Sequence, residues 1–287
     1  MKTQKTGFTL IELLMVLAGV AIMVAMLLPA LAGTRQNAQV VGCLANQKRL
    51  LAGWIMYARD NNDVLVPNRG LGGQSPVIVN PQSNPDLKPG GIYAQWCPGN
   101  MQYNTVALNY DQWIKAGLLY PYLNTLSVYH CPSDHNRVPR GVAQSFRKPA
   151  LRTYSMNAWV QSMDGPGYNT TAWNGITGYI VYTKLSNMSR PGPAKTWVFI
   201  EESPLGIDDA YFAVDPRQTT TTWYNVPAVL HGGASVLAFA DGHSGAHRWT
   251  DANMIHGTGA NSNGNNVPAD PTSQDLPWFL SASTVHQ

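Results

Sequence analysis

Histidine and carboxylate side chains in the second half of the chain have spacings that allow metal or acid–base chemistry. His243 and His247 form an H-x3-H pair, which on a helix would place both imidazoles on one face, as metal binding requires. On a β-strand the two would share a face but lie ~13 Å apart, at ~3.3 Å per residue. Glu201 and Glu202 are neighbours, so on a strand they would point to opposite faces. Neither pair therefore predicts a metal centre or an acid–base couple.

Residues 261–275 contain oxygen ligands of the kind found in calcium sites. This run contains Asp270, Asp275 and several asparagines, whose oxygens are ligands of the kind that calcium prefers. The spacing matches no calcium loop, and the same residues are common in solvated turns. A solvated loop is therefore the favoured interpretation, with a calcium site at Asp270 and Asp275 as the alternative.

One β-hairpin is expected to position several of these residues. Strands at 234–240 and 243–249 flank Asp241-Gly242, a strong signal for a two-residue turn. His231 lies ten residues before Asp241, which gives the pattern H-x9-D-G. We expect His231 and Asp241 to form a structural hydrogen-bonded pair beside the Gly242 turn, rather than a catalytic dyad.

Composition and motifs narrow the class of function. The 287 residues carry a net charge of +3 without a basic block, which argues against nucleic-acid binding. Sequence motifs for phosphate-binding loops, serine hydrolases, zinc proteases and C-x-x-C redox sites do not occur. We therefore predict that the chain is not an enzyme and has no cofactor. Its 9 Trp and 13 Tyr are numerous enough for a glycan-stacking surface, although such residues more often form a core.

The most apolar segment is residues 8–32, in which Glu12 is the only charged residue. As a helix it would reach ~37 Å, against ~30 Å for a bilayer core. Lys2 and Lys5 precede it, a pattern that keeps this end in the cytoplasm and places the rest of the chain outside. A carboxylate in such a span costs roughly 2.5–3.5 kcal/mol, so Glu12 is expected to be functional.

This segment, KTGFTLIELLMVLAGVAIMVAMLLPAL, resembles the class III signal of type IV pilins and type II secretion pseudopilins. The resemblance implies cleavage between Gly7 and Phe8 and N-methylation of Phe8. Glu12 then becomes the fifth residue of the mature chain, with a role in assembly, and Pro29 falls where such helices commonly have a kinking proline. The implied partners are a prepilin peptidase/N-methyltransferase, other pilin-like subunits, the inner-membrane assembly platform and the membrane itself.

Three later elements resemble a prepilin-like family with a C-terminal H-X9-DG element: Cys43 in CLANQK, Cys131 in CPSD, and the H-x9-DG pattern. Glu201-Glu202 departs from that family, which usually has an aspartate there. Three cysteines outside the cytoplasm allow three single pairings. The family match favours a Cys43–Cys131 disulfide that staples the helix to the globular domain. A Cys97–Cys131 bond is the rival, and a buried free thiol is possible for each cysteine.

These observations predict an α+β, pilin-like fold, with a long N-terminal transmembrane-plus-amphipathic helix packed on an antiparallel β-sheet with long loops. Residues 1–7 would be the leader, 8–32 the transmembrane and assembly helix, and 33–287 an extracytoplasmic globular domain. Residues 33–60 would continue the helix. The expected apolar stripe of that continuation consists of Val41, Leu44, Lys48, Leu51, Ile55 and Ala58.

The predicted function is a structural subunit, processed by prepilin peptidase and assembled into a type II secretion pseudopilus or type IV pilus-like filament. The chain would be a single-pass protein of the bacterial inner membrane with a cytoplasmic N-terminus. The alternative is a membrane-anchored extracytoplasmic module that binds glycans.

Overall fold

The computed structural model describes residues 9–70, 80–103, 106, 109–138, 145, 147–162, 176–217, 219–262 and 264–287, and all of their side chains except those of residues 26–37. One long helix, α1 (Leu10–Asp60), forms the N-terminal part. The shorter helices are α2 (Tyr110–Ala116), α3 (Tyr120–Leu123), α4 (Ala252–His256) and α5 (Asp275–Ser281). Single 3₁₀ turns lie at Pro85–Leu87, Ser127–Tyr129 and Leu185–Asn187.

The central sheet has five strands: β3 (Tyr154–Asn157), β4 (Trp197–Glu201), β5 (Tyr211–Phe212), β7 (Ala234–Phe239) and β8 (Ser244–Arg248). Their order across the sheet is β5-β3-β4-β7-β8. Two small antiparallel pairs stand apart: β1 (Arg137–Val138) with β2 (Lys148–Pro149), and β6 (Thr222–Trp223) with β9 (Val267–Pro268). The central strand β4 is buried at every residue, because both faces of the sheet are covered.

Each face of the sheet supports its own apolar core. On one face the C-terminal half of α1 packs against β7, β8 and β4, and Leu50 and Trp54 join Phe199 in that core. On the other face Trp197 stacks on Phe279 of α5, with ring centroids 4.8 Å apart. The cysteine-bearing part of α1 is thus fixed against the sheet.

The buried stripe of α1 differs from the expected one. Leu51 and Ala58 are buried as predicted, but Val41 is 63 % exposed and Lys48 is exposed. The buried side chains are instead those of Cys43, Gln47, Leu50, Leu51, Trp54 and Ala58. Gln47 is the physical reason: its amide donates a 2.7 Å hydrogen bond to the carbonyl of Val236, so a polar residue belongs to the buried face.

The predicted fold class, a pilin-like α+β fold with a transmembrane helix on an antiparallel sheet, is wrong. The chain has a mixed α/β fold, in which β5 runs parallel to β3 while the other neighbouring strands of the sheet are antiparallel. Arg152 explains the parallel pair, because its guanidinium donates to the backbone carbonyls of Asp208 and Asp209 and holds the segment before β5 beside β3. In the part of the chain that the structure describes, no helix combines the length and apolar character needed to cross a membrane.

Candidate functional site

Four side chains that could bind a metal meet where α1 crosses the sheet, and we call them the His231 cluster: Cys43, Cys131, Glu201 and His231. Cys43 lies on α1, and Cys131 lies just after the 3₁₀ turn Ser127–Tyr129. Glu201 is the last residue of β4. His231 lies in the turn before β7, where Gly233, with a φ of 89°, allows the chain to reverse into the strand.

Hydrogen bonds fix the orientation of the imidazole and the carboxylate. Nε2 of His231 lies 2.9 Å from Oε1 of Glu201, and Nδ1 lies 3.4 Å from Oγ of Ser133. The second oxygen of Glu201, Oε2, accepts a 2.8 Å hydrogen bond from the backbone N–H of Val236. Both ring nitrogens and both carboxylate oxygens therefore have partners.

The two cysteines of the cluster form a disulfide. Cys43 and Cys131 have Cα atoms 5.2 Å apart, and this is the pairing that the resemblance favours. Cys97 is a buried free thiol whose sulfur lies 3.7 Å from the hydroxyl of Tyr110. Burial raises the pKa of this thiol to about 11, so Cys97 stays protonated and unreactive near neutral pH.

Burial governs the electrostatics of the cluster. Glu201 is fully buried, and only 2 % of the His231 side chain is exposed. Removal from water raises the pKa of Glu201, although the hydrogen bond from His231 and the N–H of Val236 oppose this shift. The pair is thus suited to holding a proton or a cation within the fold.

His231 and Asp241 are not brought together. β7 separates them, so they lie roughly 20 Å apart along the strand. Asp241 instead accepts a hydrogen bond from Nδ1 of its neighbour His243, at 2.6 Å. The turn is also one residue longer than expected: Phe239 pairs with His243 and leaves the three-residue loop Ala240-Asp241-Gly242, in which Gly242 has a φ of 103°.

Glu201 and Glu202 do point to opposite sides of their strand, as predicted. Glu202 accepts hydrogen bonds from the hydroxyl of Ser155 and from Nδ2 of Asn225, the latter at 2.7 Å. Glu201 was not predicted from the sequence as the partner of His231. The available signal was an acid at the end of a buried strand, at the position where the resembling family has an aspartate.

The two other predicted histidines have separate partners. His243 stacks on Phe239 and contacts Asp241, whereas His247 stacks on Trp278 at a centroid distance of 4.0 Å. His243 comes directly before β8 and His247 lies on it, as the predicted hairpin requires.

The two calcium candidates are both engaged by hydrogen-bond donors. Asp275 accepts from the backbone N–H groups of Thr250 and Asp251, and Asp270 accepts from the backbone and hydroxyl of Thr272. Burial opposes ionisation of Asp275, but the donors outweigh it and lower the pKa of its carboxyl. The carboxylate of Asp275 ties the loop after β8 to the start of α5, whereas that of Asp270 stabilises a local turn at Thr272.

The substitution Asp275→Asn is expected to lower the free energy of unfolding by about 1–3 kcal/mol, because the remaining amide oxygen is an uncharged and weaker acceptor for the buried N–H donors. The matched variant Asp270→Asn changes an acceptor that is not buried, so it should cost within about 0.5 kcal/mol. Urea denaturation of both variants measures the difference. Equal effects would contradict the structural role of Asp275.

A second candidate site is the N-terminal arm, which we define as Leu10–Ala25 of α1. Every described side chain of the arm is exposed, including Leu10 at 78 % and Ile11 at 69 %. A contiguous apolar surface of this kind marks an interaction site. Gly7 and Phe8 lie outside the described residues, and Pro29 lies within α1 with its side chain outside the described part.

Glu12 has a local partner at the start of the arm. Thr9 is the N-cap of α1, and its backbone N–H and hydroxyl donate to Oε2 of Glu12 at 2.9 and 2.8 Å. The N–H of Glu12 donates in return to the Thr9 hydroxyl at 3.3 Å, which completes a capping box. A helix-capping role for Glu12 was not foreseen from the sequence.

The aromatic residues bear on the glycan-binding alternative. Most described tryptophans lie in the two cores: Trp54, Trp96, Trp113, Trp159, Trp197, Trp223 and Trp249. An open cavity of about 900 Å³ is lined by Tyr179, Arg217, Leu280 and His286, among others. Arg217 is paired there with Asp215, and the lining does not identify a ligand. Glycan binding stays a prediction.

Comparisons with known proteins do not assign the chain: no protein-family model, no curated protein and no solved structure matches it.

Proposed function

We propose that this chain is a structural subunit of a type II secretion pseudopilus or type IV pilus-like filament. A prepilin peptidase would cut it between Gly7 and Phe8, and its N-terminal arm would then pack against the arms of other copies. The observation that carries the proposal is the exposure of the arm, whose apolar side chains have no partner within the described part of the chain. Burial of such a surface against identical helices would drive association.

Glu12 would set the register of the assembly. A carboxylate enclosed among apolar helices is costly unless an opposite charge accompanies it. Cleavage before Phe8 creates a new amino terminus, and the amino group of a neighbouring copy could supply that charge. The capping box with Thr9 does not require a charge, because glutamine serves equally well at this position. The two roles of Glu12 can therefore be separated by substitution.

The disulfide supports an extracytoplasmic location for the globular domain. Disulfides form and persist in oxidising compartments such as the bacterial periplasm, and they are rare in the cytosol. Such a location agrees with export of the domain while Lys2 and Lys5 remain on the cytoplasmic side.

The test compares three full-length variants in a host with a prepilin peptidase. Glu12→Gln keeps the capping potential but removes the charge, Glu12→Ala removes both, and Thr9→Ala breaks the capping box but keeps the charge. Chemical cross-linking between copies measures assembly. We expect both Glu12 variants to lose the cross-linked multimers, whereas Thr9→Ala should still form them. Mass spectrometry of the mature N-terminus should find N-methylated Phe8, and Gly7→Ala should abolish cleavage.

Three results would overturn the proposal. The first is a mature protein that begins at Met1. The second is normal cross-linking between copies of Glu12→Gln and Glu12→Ala, which would limit Glu12 to helix capping. The third is recovery of monomers bound to lipid, without cross-links between arms, which would identify the arm as an anchor rather than an assembly surface.

A further inference from the structure

We propose that the His231 cluster binds one zinc ion before its disulfide forms, with Cys43, Cys131, His231 and Glu201 as the four ligands. One ligand atom from each residue lies within 4.8 Å of all the others. Tetrahedral zinc, with bonds of about 2.3 Å to sulfur and 2.0–2.1 Å to nitrogen, places sulfur and nitrogen ligands about 3.5 Å apart. The Cys131 sulfur and Nε2 of His231 are already 3.5 Å apart.

The same atom of His231 also faces Glu201. Nε2 lies 2.9 Å from Oε1 of Glu201, so an ion inserted between them needs an opening of only about 0.4 Å. The two sulfurs, in contrast, must separate to about 3.8 Å, which a disulfide bond forbids. The disulfide and the zinc site are therefore mutually exclusive states of the same residues.

The surroundings of the ligands fit a metal site. Metal-binding histidines commonly use the second ring nitrogen to hydrogen-bond a neighbouring group, and Nδ1 of His231 faces the Ser133 hydroxyl at 3.4 Å. The unused oxygen of Glu201, Oε2, is held by the N–H of Val236. The backbone N–H of Ser133 also approaches the Cys131 sulfur, at 3.4 Å. The zinc-facing atoms of His231, Glu201 and Cys131 are thus each oriented by a contact that zinc would not disturb.

The buried ligands favour a bound cation in the reduced chain, because they would otherwise carry negative charge without compensation. Cys43, Cys131 and Glu201 are fully buried, and water cannot stabilise negative charge on them. Zinc binding displaces the protons of the two thiols, and the divalent cation offsets two of the three negative charges that the ligands then carry.

The zinc ion would join the two elements that the disulfide joins and would add two more. Cys43 belongs to α1 and Cys131 follows the 3₁₀ turn Ser127–Tyr129, whereas Glu201 ends β4 and His231 lies in the turn before β7. In a newly made chain, whose cysteines are thiols, zinc thus fixes α1 on the sheet until thiol–disulfide exchange with another disulfide forms the Cys43–Cys131 bond. That exchange releases the zinc and leaves the other disulfide as two thiols. This inference does not depend on whether the N-terminal arm assembles.

The test uses the full-length protein reduced with a phosphine. The phosphine is converted to its oxide with the oxygen of water, and the disulfide accepts two electrons and two protons to give two thiols. The reductant is then removed under anaerobic conditions. Co²⁺ is added as a spectroscopic probe and afterwards displaced by Zn²⁺. We expect one equivalent of Co²⁺ with tetrahedral d–d absorption and a thiolate charge-transfer band. Zn²⁺ should also protect Cys43 and Cys131 from alkylation, as peptide mapping would show.

Variants assign the ligands. His231→Ala and Glu201→Gln should lose the tetrahedral signal, and Ser133→Ala should weaken binding about 10- to 100-fold. His247→Ala is the matched control, since it alters a half-buried histidine outside the cluster and should keep one-to-one binding.

Three outcomes would overturn the proposal: no Co²⁺ binding by the reduced wild type, an octahedral spectrum, or alkylation of Cys43 and Cys131 that is unaffected by Zn²⁺. These measurements use the unaltered chain, so they decide the matter even if a variant fails to fold. Equal metal binding by the oxidised protein would contradict the exclusion of zinc by the disulfide.

Discussion

Replacing Cys43 and Cys131 together by alanine is expected to lower the free energy of unfolding by about 4–5 kcal/mol. The disulfide closes a loop with a sequence separation of 88 residues, and a cross-link over this length removes that much conformational entropy from the unfolded chain in the loop-closure description. Urea denaturation without reductant measures the change. The slope of the transition should also steepen, because an uncross-linked unfolded chain exposes more surface.

Cys97→Ala is the matched control for this experiment. Cys97 is also fully buried but free, so its substitution should cost only about 1 kcal/mol through lost packing. Phosphine-reduced wild type, kept with a chelator so that no ion replaces the bond, should resemble the double variant. If the double variant unfolds at the same urea concentration as the wild type, the disulfide is not a major source of stability.

Other contacts also hold this part of α1. Asn46 donates to the carbonyl of His130 at 2.9 Å, and Gln47 donates to the carbonyl of Val236 at 2.7 Å. Each such hydrogen bond contributes about 1 kcal/mol, and the helix packs against β7, β8 and β4. Because these contacts remain in the double variant, we expect it to stay folded and to lose only the contribution of the cross-link.

The features that depend on local sequence pattern could be predicted from the sequence alone. α1 ends at Asp60, the last residue of the predicted continuation 33–60. The strands of the hairpin, β7 and β8, lie within 234–240 and 243–249, on the two sides of Asp241-Gly242, as that turn predicted. The opposite orientation of Glu201 and Glu202 also follows from strand geometry alone.

Features that depend on distant contacts could not be predicted in this way. The parallel pairing of β5 with β3 depends on Arg152, whose guanidinium reaches carbonyls more than fifty residues away in the chain. The partner of His231 is Glu201, thirty residues before it, rather than the nearer Asp241. Gln47 belongs to the buried face because a single carbonyl of β7 accepts its hydrogen bond, which hydrophobic periodicity does not detect.

Raising the pH from about 5 to 8 is expected to destabilise the protein through Glu202. This residue is fully buried, and its removal from water, together with the nearby charge of Asp208, raises the pKa of its carboxyl from 4.5 to about 8. The hydrogen bonds from Ser155 and Asn225 and the charge of Arg152 only partly oppose this shift. The folded protein thus retains a proton that the unfolded chain releases.

The sign of the pH dependence follows from proton linkage. Because the folded state binds more protons than the unfolded state between these two pKa values, the stability contributed by protonated Glu202 is fully present below pH 4.5. It is lost as the pH rises through about 8. The shift corresponds to roughly 4–5 kcal/mol, at about 1.4 kcal/mol per pKa unit. Burial raises the pKa of Asp209 as well, so this neighbour adds to the same trend.

The substitution Glu202→Gln isolates this contribution, because glutamine resembles the protonated acid in shape and charge. At pH 5 the variant and the wild type should unfold at similar urea concentrations, and at pH 9 the variant should be the more stable by several kcal/mol. Asp111→Asn, which changes an exposed carboxylate on α2, should follow the wild-type profile throughout. Parallel stability profiles for Glu202→Gln and the wild type from pH 5 to 9 would show that Glu202 is ionised in the folded protein. In that case Arg152, with the two hydrogen-bond donors Ser155 and Asn225, stabilises a buried carboxylate more strongly than its removal from water destabilises it.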